Sequence, residues 1–137
     1  TDCGSMSVHS AQTQAKLQIM MQYIHDNYSG QITLDDIART VLISKSSVLN
    51  IFRTYLHTSP INYVVEYRLK RASKLLVDTE NSVCAIAHET GFENIGYFCR
   101  RFKKLYGVTP INYRKYYRSV ERNSMRNIHS DTNVLSG

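Results

Sequence analysis

Between Asn94 and Arg118 the chain carries Arg100, Arg101, Lys103, Lys104, Arg114, Lys115 and Arg118, and no acidic residue. Seven positive charges against none, on one expected helix and its successor, form a footprint suited to neutralising the phosphates of a nucleic acid. A merely solvated helix face usually mixes its signs. The net charge of +6 over 137 residues is weaker support, because many basic proteins bind no nucleic acid. Other chemistry is thinly supplied. Cys84 and His88 stand four apart on an expected helix, but two ligands do not make a metal site. Cys3, Cys84 and Cys99 are an odd set without a Cys-x-x-Cys pair, which fits a reducing cytosol and not a disulfide scaffold. With no Gly-rich phosphate loop, no metal-ligand spacing and no nucleophile–base pairing, neither an enzyme nor a cofactor or metal is expected.

The elements that must hold these charges are written twice. Residues 32–63 are echoed by residues 82–113, and both blocks end in Pro-Ile-Asn-Tyr, at Pro60–Tyr63 and Pro110–Tyr113. Phe52 and Phe102 keep the same offset of 50, whereas Ile37-Ala38 and Ile86-Ala87 lie 49 apart, so one residue is inserted in the second turn. A repeat of this length is one supersecondary unit built twice. Each copy reads as a short helix, a tight turn and a second, more basic helix, the layout of a helix-turn-helix.

Local patterning places the helices. Leu17, Met20, Met21, Ile24 and Tyr28 recur at helical spacing over about Gln14–Tyr28. Thr33 caps the next helix, with Asp35 and Asp36 in its first turn. The turn is Leu42-Ile43, and Ser44 caps a helix to about His57. Pro60 opens a longer helix to about Val77. Ser82 caps Val83–Thr90, Gly91 turns the chain, and Asn94 caps a helix to Tyr106 that Gly107 ends. Thr109-Pro110 starts a last helix to about Arg118. The fold expected is all-α, with about seven helices arranged as two helix-turn-helix subdomains joined by a long connecting helix. Its parts are a disordered segment or cloning remnant (1–13), a first subdomain (14–59), the connecting helix (60–77), a second subdomain (78–118) and a disordered tail (119–137). Phe52, Tyr63, Phe98, Phe102 and Tyr113 are assigned to the core. No apolar run reaches membrane-spanning length, so a soluble, cytoplasmic protein is expected. A connecting helix of about 27 Å compares with the ~34 Å between exposures of the major groove on one face. Two recognition helices in adjacent grooves would read an asymmetric site and bend the duplex.

The chain closely resembles the DNA-binding domain of AraC/XylS-type bacterial transcription regulators over about residues 14–118. The second copy carries the most specific run: Ile86-Ala87, Gly91-Phe92, Tyr97-Phe98, Arg101-Phe102-Lys103, Gly107-Val108-Thr109-Pro110 and Tyr113-Arg114. Arg68, Ala72 and Leu75 match as well. The resemblance implies promoter DNA as partner, activation or sometimes repression of transcription, and contact with RNA polymerase. An N-terminal sensor or dimerisation domain would lie outside this chain, which suits either a stand-alone regulator or the C-terminal part of a longer one. The positions that meet bases in such proteins fall on Ser46, Leu49 and Asn50, and on Ile95, Gly96, Cys99 and Arg100. Asn50 has the amide suited to adenine, Leu49 and Ile95 suit a thymine methyl, and Arg100 suits O6 and N7 of guanine; Gly96 reads nothing. Lys45, Arg53, Lys103, Lys104 and Arg114 are expected at phosphates. Arg68 is expected to tie the two copies together. Two departures stand out: Leu42 occupies a turn position that suits a small or left-handed-tolerant residue, and His57 stands where the second copy has Gly107. They leave room for an alternative, a helical protein-interaction module whose first copy no longer reads DNA.

Overall fold

The computed structural model describes the backbone of residues 2–136 and the side chains of residues 11–123. Every element among them is an α-helix: α1 (Asp2–Asn27), α2 (Leu34–Arg39), α3 (Lys45–Leu56), α4 (Pro60–Asp78), α5 (Val83–Glu89), α6 (Ile95–Tyr106) and α7 (Pro110–Ser136). The chain divides into two compact units, Thr1–Arg68 and Leu69–Gly137, with the division inside α4. The first half of α4 closes the first unit, and its second half opens the next.

In the first unit, α1 buries Leu17, Met20 and Ile24, spaced so that they fall on one helix face. They meet Ile37 and Ala38 of α2, Val48 and Phe52 of α3 and Val64 of α4 in one apolar core. Phe52 is fully buried and meets the Tyr63 ring edge-on, 5.7 Å between centroids. Truncating such a phenylalanine costs about 3–5 kcal/mol. Local chemistry sets the helix ends. The Thr33 hydroxyl accepts from the Asp36 N–H (3.1 Å), and the Asp36 carboxylate accepts from the Thr33 N–H (3.0 Å), a reciprocal capping box. Those bonds hold the Asp36 carboxyl below its ordinary value. The Ile43 N–H reaches back to the Ala38 carbonyl (3.2 Å) with Leu42 left-handed at φ 55, closing α2 as a Schellman turn around a leucine. Ser44 caps α3, and His57, also at φ 55, ends it.

The second unit repeats these devices with better-suited residues. Gly91 (φ 98) stands at the place of Leu42, 49 residues on, and the Phe92 N–H reaches the Ala87 carbonyl at 2.9 Å. Gly107 (φ 81) ends α6 where His57 ends α3. Phe102 meets Tyr113 edge-on at 5.3 Å, as Phe52 meets Tyr63. The inserted residue, Glu93, lengthens the turn before the Asn94 cap. One pair changes chemistry: Ile24 and Leu56 belong to the first core, whereas their counterparts Ser73 and Tyr106 are joined by a hydroxyl–hydroxyl bond of 3.3 Å.

Helix ends depart from expectation at both termini. α1 begins at Asp2 and α7 reaches Ser136, so residues 2–13 and 119–136 of the segments expected to be disordered are helical in backbone. The side chains of residues 1–10 and 124–137 lie outside the described residues. Thr13 is buried, so the first unit starts before Gln14. A helix once nucleated propagates at one hydrogen bond per residue, and no proline or glycine interrupts residues 111–136 or 5–28. Where α4 buries Leu69 and Ala72, α7 has exposed Ser119 and Arg122 at the corresponding positions.

Candidate nucleic-acid interface

Burying Val48 and Phe52 leaves the opposite face of α3 to solvent. Ser46, Leu49, Asn50 and Arg53, at i, i+3, i+4 and i+7, form one exposed stripe there. Lys45 beside it lies 3.4 Å from Asp35, with both side chains more than half exposed. Such a pair is worth ~0–1 kcal/mol and exchanges readily for a phosphate. On α6 the burial of Phe98 and Phe102 exposes Gly96, Arg100 and Lys103 on the equivalent stripe, with Cys99 half-buried and Ile95 and Lys104 exposed at its edges. The α3 and α6 base-reading and phosphate residues expected from the sequence thus line up within their own units.

Gly96 has a spatial role on this face. A Cβ there would meet the Asn94 Oδ1 at 3.2 Å and the Arg100 Nη1 at 3.6 Å, so glycine leaves room for the cap and for the arginine to lie over the first turn. The Asn94 carbonyl oxygen accepts from the Tyr97 N–H at 2.8 Å. Arg100 is left as an exposed donor fork, the group whose geometry matches the two acceptors of guanine.

The seven cations between Asn94 and Arg118 do not act alike. The Arg101 Nη1 donates to the Tyr97 hydroxyl at 3.0 Å, with the guanidinium 5.9 Å from that ring. Arg114, expected at a phosphate, is turned inward: its Nε donates to the Leu76 carbonyl (2.8 Å) and its Nη2 to those of Thr79 (3.3 Å) and Asn81 (2.5 Å). Those carbonyls lie at the end of α4 and in the loop beyond, where backbone acceptors lack intrahelical partners. Arg118 joins them through Thr79 and pairs with Glu80 at 3.0 Å. Arg68 does the same in the first unit, donating to the Tyr28 carbonyl (2.7 Å) and the Gly30 carbonyl (2.6 Å). It fastens α4 to the end of α1 within one unit. Arg68 and Arg118 are 50 apart, and their acceptors Gly30 and Thr79 are 49 apart, so the repeat offset marks both as structural. Arg100, Lys103, Lys104 and Lys115 remain exposed.

His25 is a functional-looking residue with a structural partner. Its Nε2 lies 2.8 Å from the Tyr63 hydroxyl, and its ring stacks on Tyr67 at 4.2 Å. Burial pushes the imidazole below its ordinary value, against the opposing pull of Asp26. Burial likewise raises the Tyr63 phenol, and Tyr67 adds to that. Among the described residues no three His, Cys, Asp or Glu side chains converge on a metal-sized site, and no helix is long and apolar enough to cross a membrane.

The family model for a helix-turn-helix domain matches residues 37–116, the span holding both stripes. A solved transcriptional regulator from Chromobacterium violaceum, described as containing an AraC-type DNA-binding domain, superposes with a TM-score of 0.72 at 31% identity, over 77% of this chain and 94% of that one. The chain belongs to the AraC-type helix-turn-helix family. That is a family of transcription regulators, not of enzymes. The regulator YdeC of Bacillus subtilis is 32% identical over 100 residues, 73% of this chain and 34% of its own length. The raffinose operon regulatory protein RafR of Pediococcus pentosaceus is 30% identical over 114 residues, 83% of this chain and 40% of its own. The AraC-type domain seen here thus spans about a third of the length of these curated relatives.

Proposed function

We propose that the chain binds double-stranded promoter DNA through α3 and α6 and regulates transcription, most directly by activation. The observation that carries this is the repeated stripe: two helices of one repeat, each burying two residues (Val48 and Phe52; Phe98 and Phe102) and exposing its polar and basic face. In this reading Arg100 reads guanine and Asn50 adenine, Leu49 and Ile95 pack on thymine methyls, and Ser46 and Cys99 lie against base edges. Lys45, Arg53, Lys103 and Lys104 take phosphates. Arg114 is left out, because its donors serve backbone carbonyls. Activation follows the name of one relative, the lactose operon transcription activator of Staphylococcus xylosus, 29% identical over 101 residues. RNA polymerase is the partner such activation requires. The greater length of the relatives suits a sensor or dimerisation domain joined to this one, in a cytoplasmic regulator.

A second reading rests on Leu42, 90% exposed, and Leu49, 42% exposed: an apolar edge on the first unit that suits a protein groove. Selection of bound duplexes from a random pool, followed by affinity measurement across salt, separates the two. Enrichment of an asymmetric site about two turns long with a steep salt slope supports DNA reading by both units. No enrichment and a flat slope would sink it in favour of the protein partner.

A further inference from the structure

The two recognition helices are unequally charged. Where α6 has Arg100, Arg101, Lys103 and Lys104, the repeat places Asn50, Ile51, Arg53 and Thr54 on α3, which with Lys45 carries two cations against four. What α3 lacks, α1 brings to its side. Lys16 and Thr13 of α1 line a cleft of about 170 Å³ together with Ile43, Ser47, Asn50 and Ile51. Asn50 belongs both to this cleft and to the exposed stripe, so Lys16 borders that stripe. Its side chain is half-buried, and among the described residues no carboxylate lies within ion-pair distance of it. Ile51, at the place of Arg101, gives the cleft an apolar wall along which a lysine stem can lie while its ammonium stays in water. The residue 49 positions after Lys16 is Val65, which is buried, so the second unit has no counterpart.

We propose that Lys16 is a phosphate contact of the first unit, supplied by α1 and not by the helix-turn-helix itself. The strands flanking a major groove pass on either side of an inserted helix, and a cation beside that helix meets a phosphate while its neighbour reaches a base edge. Lys16 and Asn50 are such neighbours. This rests on the reading that α3 enters the groove. It makes α1 part of the interface and compensates the weak charge of α3 without adding a base reader.

The test uses the duplex recovered by selection and the variants Lys16→Gln and Lys16→Arg. Lys16→Gln should reduce the magnitude of the slope of log affinity against log salt by about 0.9. It should also weaken binding by one common factor on every base variant of the first half-site, and Lys16→Arg should restore both. Methylphosphonates placed singly along that half-site should find one phosphate whose neutralisation weakens the parent protein but not Lys16→Gln. An unchanged slope in a Lys16→Gln protein of unchanged melting temperature overturns the proposal. So does a loss confined to particular bases, which would make Lys16 a base reader. If Lys104→Ala still lowers the slope in that event, the DNA reading survives; a parent protein with no salt slope removes both.

Discussion

Replacing Leu42 by glycine should stabilise the first unit, although it deletes a leucine. Leu42 is held at φ 55, where an L side chain costs about 1–2 kcal/mol. At 90% exposure it has almost no buried surface to lose, so the apolar transfer contribution is close to nil. Glycine's extra freedom in the unfolded chain works the other way, by about 0.5–1 kcal/mol. The balance is a gain of about 0.5–1 kcal/mol, or a Tm increase of ~2–8 °C for a unit of this size. The second unit supplies the control. Gly91 holds φ 98 at the equivalent position, so by the same balance Gly91→Ala should lose about 0.5–1 kcal/mol. Both variants can be measured by thermal unfolding followed by circular dichroism, with urea titration to check that the m-value is kept. The reasoning fails if Leu42→Gly lowers stability by 1 kcal/mol or more. Leu42 would then be making a contact worth more than its backbone strain.

Arg100→Ala should cost about 1–3 kcal/mol on the selected site and relax base preference at one position, whereas Lys104→Ala should weaken all sequences alike; equal affinity of the parent protein for selected and scrambled duplexes would defeat the base-reading assignment. Arg114→Ala should lower stability by about 1–3 kcal/mol, because three carbonyls lose a charged donor. It should leave the salt slope of DNA binding unchanged; the reverse pattern would return Arg114 to the phosphate set. The first unit should also lose stability as pH falls from 7.5 to 5.5. His25 has its folded-state value below 6.5, so in that window the unfolded chain binds the extra proton; the contribution is present above 6.5 and disappears as pH drops through the lowered value. His25→Phe should flatten this dependence in melts recorded across the range, and an equally steep profile in that variant would assign it to other groups.

Much of this molecule was legible in the residues alone because the relevant physics is local. Helix starts at Thr33, Ser44, Ser82 and Asn94 need only a side-chain oxygen three residues before an orphan N–H. The stripes on α3 and α6 need only the helical period around Val48, Phe52, Phe98 and Phe102. Even the strained turn at Leu42 was readable, since a repeat lets Gly91 report what its partner position requires. The helical reach of α1 and α7 was not, because polar terminal composition does not distinguish a solvated coil from a solvated helix that prolongs a packed one.

What only the tertiary structure decided was the use of each cation. In sequence, Arg100, Arg114 and Arg118 are equal members of one basic run, yet Arg100 stays in solvent and the other two reach carbonyls at the end of α4, more than 30 residues away. The approach of Lys16 to Asn50, and of His25 to Tyr63, likewise joins positions 34 and 38 apart. Period and capping determine which way a side chain leaves its own helix. The unsatisfied acceptor or neighbouring face it then meets is set by packing between helices, which no local pattern encodes.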